Sequence, residues 1–197
     1  VKATTAVVSD PLIAGVIVSA IAGLGAVMAL WRWTETQDMT TSTATAALAM
    51  CMFYPYAWYL YGVVHADGLF LVLAVSAFVL VERDRLFAAG LVGALATASR
   101  PTGMALIAGL LALTLERHGV WTSLAKPTTN RLRNAVERRG IPTSLHWDRV
   151  RPRLLWPALS MAGVGAYALY LWAKWGDPIA FITNERVYHP GGLPWLK

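Results

Sequence analysis

Charged residues are scarce in this chain: 14% of its residues are Asp, Glu, Lys or Arg, whereas 56% are hydrophobic. A soluble protein of 197 residues needs a charged surface. This balance, with a mean hydropathy of +0.49, therefore fits a polytopic membrane protein better than any globular class. Polar groups are costly at membrane depth, so the few that lie there are the first candidates for function.

Cysteine is almost absent as well. Cys51 is the single cysteine and lies in an apolar run, so we interpret it as a small buried hydrophobe and predict no disulfide framework. No spacing of His, Asp or Glu requires a metal or another cofactor, although the sequence leaves room for a divalent cation. Lys2 is the only basic residue before the first apolar run, and a signal peptide would need a basic region there. The run therefore favours a membrane span over a cleavable signal peptide.

The positive charge is concentrated in one place. The net charge is +6 and the pI about 9.8, which could suggest nucleic acid, but nine of the 17 Lys and Arg residues lie in the stretch 117–153. No aromatic and basic recognition surface accompanies them. The pattern is that of a cytoplasmic loop under the positive-inside rule, with 130–140 as a helix on an anionic leaflet, and nucleic acid is not a predicted partner.

Apolar stretches predict an all-α fold, a polytopic bundle of about six transmembrane helices in one domain. The predicted spans are about 11–31, 40–61, 67–81, 86–99, 101–116 and 154–174, joined by a basic cytoplasmic loop at 117–153 and followed by an extracytoplasmic tail at 175–197. Two of these helices are short and are joined at Ser99–Gly103.

The stretch 86–116 could instead be one long kinked helix. In that case the charged tetrad 82–85 and the basic loop would lie on opposite sides, and nine basic residues would be exported. Two helices keep both regions in the cytoplasm, and Pro101 disfavours a helical Arg100 while suiting the first turn of a new helix. Each arm spans roughly 21 Å, so the turn is predicted below the membrane surface, lining a polar cavity.

This topology places the unusual polar groups on the extracytoplasmic face. Arg100, beside a helix N-terminus, is predicted to bind phosphate, with hydroxyls from Ser99 and Thr102 and with Gly103 giving access to the backbone. The alternative is an arginine that extends to the interface. His65 and Asp67 could bind a sugar or move a proton, or Asp67 could cap a helix.

The last polar segment follows the final span. Asp177, within Gly176-Asp177-Pro178, is either a substrate ligand or the cap of a helix that begins at Pro178. Glu185 lies further along the tail and completes the set of candidate substrate-binding residues. The catalytic residue stays unassigned, with Asp67 and Asp177 as weak candidates.

Four segments together resemble the PIG-V-like mannosyltransferases, relatives of GPI mannosyltransferase II in the GT-C superfamily. These are DPLIAGVIVSAIAGLGA, FYPYAWYLYGVVHADGLFLVL, RLFAAGLVGALATASRPTGMAL and YLWAKWGDPIAFITNERV, of which LATASRPTG and WGDPIAF are the more specific. The resemblance implies an integral protein of the bacterial plasma membrane. It would transfer mannose, with inversion, from a polyprenyl-phosphate donor to an unknown acceptor on the extracytoplasmic face.

This chain departs from the family pattern at two places, and both affect the activity that we expect of it. The family usually has Tyr-Ser-Glu where this chain has His65-Ala66-Asp67, and an earlier Trp-Asp motif with the expected catalytic base has no match before Asp10. The chain is therefore expected to be an internal or truncated piece without activity by itself. The alternatives are a non-catalytic lipid- or sugar-binding membrane module and, less favoured, a transporter of an anionic substrate.

Overall fold

The protein is described from a computed structural model, which covers residues 10–37, 39–55, 57, 65–100, 103–122 and 144–180. Over these residues the fold is all-helical apart from one pair of two-residue strands. The α-helices are α1 (Pro11–Thr36), α2 (Thr41–Phe53), α3 (Asp67–Glu82), α4 (Leu86–Ser99), α5 (Met104–Arg117) and α6 (Met161–Trp175). The all-α prediction is confirmed at this level.

Short elements fill the region between α5 and α6. Strands β1 (Trp121–Thr122) and β2 (Ser144–Leu145) pair antiparallel. Two 3-10 helices follow, at Trp147–Arg149 and Pro152–Ser160, and the second runs directly into α6. Proline suits the first turn of that helix because its missing N–H has no intrahelical partner there.

Polar caps fix where the first two helices begin. The Asp10 carboxylate accepts a hydrogen bond from the Leu12 amide at 2.8 Å, and the Thr40 hydroxyl accepts one from Thr43 at 3.3 Å. Each cap satisfies an amide that has no partner within its own helix. The starts predicted at 11 and 40 therefore agree with the structure to within one residue.

The helices pack in a row. Helix α3 lies between α1 and α4, and α4 lies between α3 and the helical segment 152–175. Small and branched side chains fill the core, where Ala77, Val81, Ala89 and Leu110 are fully or almost fully buried. Because most of these side chains are small, the helix axes can approach closely.

Several predicted spans differ in length from the observed helices. Helix α1 runs to Thr36, past the predicted end at 31, and α5 begins at Met104 rather than 101. Helix α2 ends at Phe53, because Tyr54 adopts an extended conformation ahead of Pro55. Residues 56 and 58–61 of the predicted span lie outside the described residues. The final span begins as a 3-10 helix at Pro152, whereas α4 matches the prediction of 86–99.

Two of the described helices are long and apolar enough to cross a membrane, Leu12–Thr36 and Pro152–Trp175. Only 39% and 28% of their most apolar windows are buried inside the protein, whereas the core helix of a soluble protein would be mostly buried. Large apolar side chains such as Leu24, Leu169 and Trp172 are exposed along them. These two helices indicate association with a membrane.

Cys51 is exposed rather than buried, contrary to the sequence interpretation. It lines an apolar groove formed by α1, α2 and α3, together with Leu30, Leu48 and Leu71. Helix α2 packs loosely, since Ala44 is its one buried residue among those described. The cysteine prediction failed because an apolar run does not by itself determine which side chains face the protein core.

Candidate functional site

The helix break predicted at Ser99–Gly103 is present. Helix α4 ends at Ser99, and Arg100 is extended with φ −151° and ψ 111°, the conformation favoured before proline. The Gly103 amide donates a hydrogen bond to the Arg100 carbonyl at 2.9 Å, and α5 begins one residue later. Pro101 and Thr102 lie outside the described residues, so the predicted contribution of the Thr102 hydroxyl stays a prediction.

The structure brings together two of the predicted site residues, Arg100 and Asp67. The guanidinium of Arg100 forms an ion pair with a carboxylate oxygen of Asp67. Asp67 is the first residue of α3, and Ala66 rather than Asp67 occupies the N-cap. The interpretation of Asp67 as a helix cap is therefore wrong. Its side chain instead joins the start of α3 to the end of α4.

This ion pair lies at the protein surface rather than in its core. The Arg100 side chain is 47% exposed and that of Asp67 is 24% exposed. A guanidinium has five N–H donors, and one carboxylate engages at most two of them in a bidentate contact. Arg100 thus keeps donors for a further anionic group while Asp67 restricts its orientation.

Ser99 and Gly103 have local roles that differ from the predictions. The Ser99 hydroxyl donates to the Ala96 carbonyl at 2.7 Å, within its own helix. A Cβ placed at Gly103 would lie 2.9 Å from Cε2 of Phe70, so this buried glycine admits a close helix contact. Phe70 fills the space that a side chain at residue 103 would take, and the access of a ligand to the Gly103 backbone stays a prediction.

Asp177 forms a local turn after α6. Helix α6 ends at Gly176, which has a φ of 70°, and the Asp177 carboxylate accepts a hydrogen bond from the Ile179 amide at 2.9 Å. A carboxylate that bonds the amide two residues on is a known turn motif. This geometry agrees with the turn interpretation of Gly-Asp-Pro, while the role of Asp177 toward a substrate stays a prediction.

Two further site predictions concern His65 and Glu185. His65 is exposed and precedes α3, and Glu185 lies outside the described residues. No group of three or more His, Cys, Asp or Glu residues in the described ranges could hold a metal ion.

Sequence reasoning missed the contact that supports α4 beneath the break. The Thr97 hydroxyl donates to the Ser160 carbonyl at 2.6 Å, and both residues are fully buried. A Cβ at Gly163 would lie 1.8 Å from the Ala94 carbonyl oxygen, so α4 and α6 touch backbone to backbone. The spacing of Gly90, Gly93 and Thr97 by three and four residues is the signal that could have revealed this face.

A second cluster of charges, also missed, lies at the opposite end of α3. The last residue of α3, Glu82, pairs with Arg117, the last residue of α5. Asp84, in a left-handed conformation with a φ of 57°, contacts His118 at 3.1 Å and Arg153 at 3.8 Å. Residues 82–85 and both flanks of the basic loop therefore meet at one end of the bundle.

Comparison of the chain with protein families, with curated proteins and with solved structures finds no match. The Arg100–Asp67 pair and its surroundings are therefore the basis on which a function is argued.

Proposed function

We propose that this chain is part of a membrane glycosyltransferase that transfers a mannosyl group from a polyprenyl-phosphate sugar to an extracytoplasmic acceptor. The observation that carries the proposal is the pairing of Arg100 with Asp67 at the break between α4 and α5. A half-exposed guanidinium, oriented by a carboxylate at a helix break, suits the phosphate diester of such a donor.

In the proposed reaction an acceptor hydroxyl oxygen attacks the anomeric carbon, and the bond between that carbon and the phosphate oxygen breaks. The hydroxyl proton passes to a carboxylate base, and polyprenyl phosphate leaves with the electron pair. Arg100 would stabilise the negative charge that develops on the departing phosphate. Asp67 and Asp177 are the candidate carboxylates among the described residues, and neither is assigned as the base.

The same proposal places about six helices in the membrane. The ion pairs of Glu82 with Arg117 and of Asp84 with Arg153 support it, because they bring residues 82–85 and the flanks of the basic loop to one end. That end would face the cytoplasm under the positive-inside rule, and Arg100 would face the other side. Helices of 14 residues reach about 21 Å, so the break would lie below the surface.

Donor binding by the purified full chain in detergent tests the phosphate assignment. Arg100→Ala should weaken binding of a short-chain polyprenyl-phosphate mannose by about 10-fold or more, because hydrogen bonds to charged groups contribute about 1.5–3 kcal/mol. Arg100→Lys should recover part of the loss, since lysine keeps the charge without the fork. Arg32→Ala, which removes an exposed cation on α1, is the matched control; equal affinities for all four proteins would reject the site.

The rival functions predict different results with the same donor. Transfer of mannose to an acceptor, by the chain alone or together with an added segment that carries the family's Trp-Asp motif, identifies an enzyme. Binding without transfer in both cases identifies a lipid- or sugar-binding module. Uptake of the donor into sealed vesicles identifies a transporter. Each assay is run beside Arg100→Ala, so that an activity independent of Arg100 separates a wrong site from a wrong function.

Cysteine labelling of intact cells tests the orientation. In a Cys51→Ala background, a cysteine replacing Asp177 should react with an impermeant maleimide. A cysteine replacing the exposed Asp148 should react only after the cells are permeabilised. The reverse pattern would invert the topology and move Arg100 to the cytoplasmic side.

A further inference from the structure

Three segments form a charged surface at the end of the bundle opposite Arg100, which we call the basic end. It comprises residues 82–85, 117–120 and 146–156. Asp84 joins the three through its contacts with His118 and Arg153. The His146 amide also donates to the Val120 carbonyl at 2.7 Å, so 146–156 is held against the end of α5.

The arginines of the basic end fall into two groups. Arg117 is bound to Glu82, Arg153 lies near Asp84, and Arg149 donates to the Gly119 carbonyl at 3.2 Å. The second group, Arg83, Arg85 and Arg151, is exposed and forms no ion pair with any residue that the structure describes. The first group stabilises the fold, whereas the second group is available to bind a partner outside the chain.

Exposed aromatic side chains lie close in sequence to these arginines. Phe87, two residues after Arg85, packs edge-to-face on Trp156 with ring centroids 5.0 Å apart, yet the two are 50% and 47% exposed. Trp147 is 74% exposed and Leu155 58% exposed on the same segment. Aromatic rings at this position are typical of the boundary between acyl chains and headgroups.

We propose that the basic end binds the phosphate headgroups of anionic phospholipids through Arg83, Arg85 and Arg151. Phe87, Trp147 and Trp156 contact the upper acyl chains. The charges on the surface complement an anionic headgroup, and the apolar rim complements the lipid tails, which neither a nucleic acid nor an acidic peptide provides. The inference rests on the proposed insertion of the chain in a membrane.

The test measures phosphatidylglycerol binding to the purified full chain in neutral detergent by native mass spectrometry, with phosphatidylcholine as the reference lipid. The wild type should bind phosphatidylglycerol more tightly. The triple variant Arg83→Gln, Arg85→Gln and Arg151→Gln should lose about fivefold in affinity per arginine removed. The preference for phosphatidylglycerol should nearly disappear.

Two matched controls separate charge from misfolding. Lysine at the same three positions should retain the preference, because attraction to an anionic leaflet depends on charge rather than on the guanidinium fork. Lys174→Gln, which removes a cation at the other end of the bundle, should leave it unchanged. The circular dichroism spectrum and melting temperature of each variant confirm that it is folded.

Three results would overturn the proposal. These are equal affinity of the wild type for both lipids, a preference that survives in the glutamine triple variant, and competition by soluble glycerol 3-phosphate at equal concentration. The last would indicate a free-phosphate site rather than a lipid surface. Release of the chain from membranes by alkaline carbonate would instead reject membrane insertion itself, whichever lipid is bound.

Discussion

Two ion pairs lie at opposite ends of α3, one with the end of α4 and one with the end of α5, and their surroundings differ. Asp67, the first residue of α3, meets Arg100 just before α5, while Glu82, the last residue of α3, meets Arg117, the last residue of α5. The carboxylate of Glu82 is 7% exposed and also binds the amide of Gln37, whereas that of Asp67 is 24% exposed.

Burial therefore separates a structural pair from a pair available to a ligand. The Glu82 carboxylate is enclosed by α1 and α5, and its loss would remove the ion pair of Arg117 and one hydrogen bond of Gln37. Arg117 would keep its hydrogen bond to the Glu82 carbonyl. The Arg100–Asp67 pair is solvated enough that a ligand can reach it without opening the core. The same chemistry thus supports the fold at one end and a candidate site at the other.

Replacing Glu82 should give the largest loss of stability. We expect Glu82→Gln to lower the free energy of unfolding by about 2–3 kcal/mol, since removing one partner of a buried pair costs about 3–5 kcal/mol and the 40% exposure of Arg117 reduces that cost. Unfolding in mixed micelles measures it. Glu35→Gln removes an exposed partner of Arg32 on α1 as the control. Equal small losses in the free energy of unfolding from Glu82→Gln and Glu35→Gln would show that the buried pair contributes no more than an exposed pair.

A methyl group at Gly163 tests whether packing, rather than the ion pairs, holds α4. Gly163→Ala should destabilise the protein by about 1–3 kcal/mol, because the added Cβ meets the Ala94 carbonyl and the Thr97 hydroxyl, the latter at 2.3 Å. Gly165→Ala, on the same helix with nothing within 4 Å, should be neutral or gain up to about 1 kcal/mol. If Gly163→Ala unfolds no more easily than Gly165→Ala, then α4 and α6 are not in close contact.

Thr97 tests the hydrogen bond beneath the helix break. Thr97→Val should cost about 0.6–1.7 kcal/mol, the range measured for hydrogen bonds between membrane helices, because the Ser160 carbonyl loses its donor. Thr97→Ser keeps the hydroxyl and should retain more of the stability. Thermal unfolding of the two variants in detergent provides the comparison. A valine variant as stable as the serine variant would show that this hydrogen bond does not contribute to stability.

Asp67 should show the smallest effect on stability. Asp67→Asn should change the free energy of unfolding by less than about 1 kcal/mol, as expected for exposed ion pairs. A double-mutant cycle with Arg100→Gln measures the coupling between the two side chains. A coupling of 2 kcal/mol or more, beyond about 1 kcal/mol for exposed pairs, would make this pair structural like that of Glu82 and weaken its case as a ligand site.

The sequence predicted local features better than contacts. The break between α4 and α5 was predicted because Pro101 restricts Arg100. The turn at Gly176-Asp177 was predictable for the same reason, since its geometry depends on a few neighbouring residues. The caps of Asp10 and Thr40, although equally local, were identified from the structure. Such features follow from short-range sterics and hydrogen bonding.

Contacts between distant residues required the structure. Nothing in the sequence indicated that Phe70 would occupy the space at Gly103 or that the Glu82 carboxylate would be enclosed by Gln37 and Arg117. Helix lengths also required the structure, as α1 shows by continuing to Thr36, because hydropathy reports where apolar residues lie and not where the backbone stops being helical. The resemblance to mannosyltransferases remains a proposal, tested by donor binding at Arg100.

The helices of this bundle differ greatly in length, and in the proposed membrane arrangement that difference has a consequence for the surrounding lipid. Helix α1 has 26 residues and reaches about 39 Å, whereas α4 has 14 residues and reaches about 21 Å. A hydrocarbon layer of about 30 Å matches neither, so lipids beside α4 would have to thin while α1 tilts. Such hydrophobic mismatch would lower the bilayer surface towards Arg100 and shorten the path by which a lipid-linked phosphate reaches it.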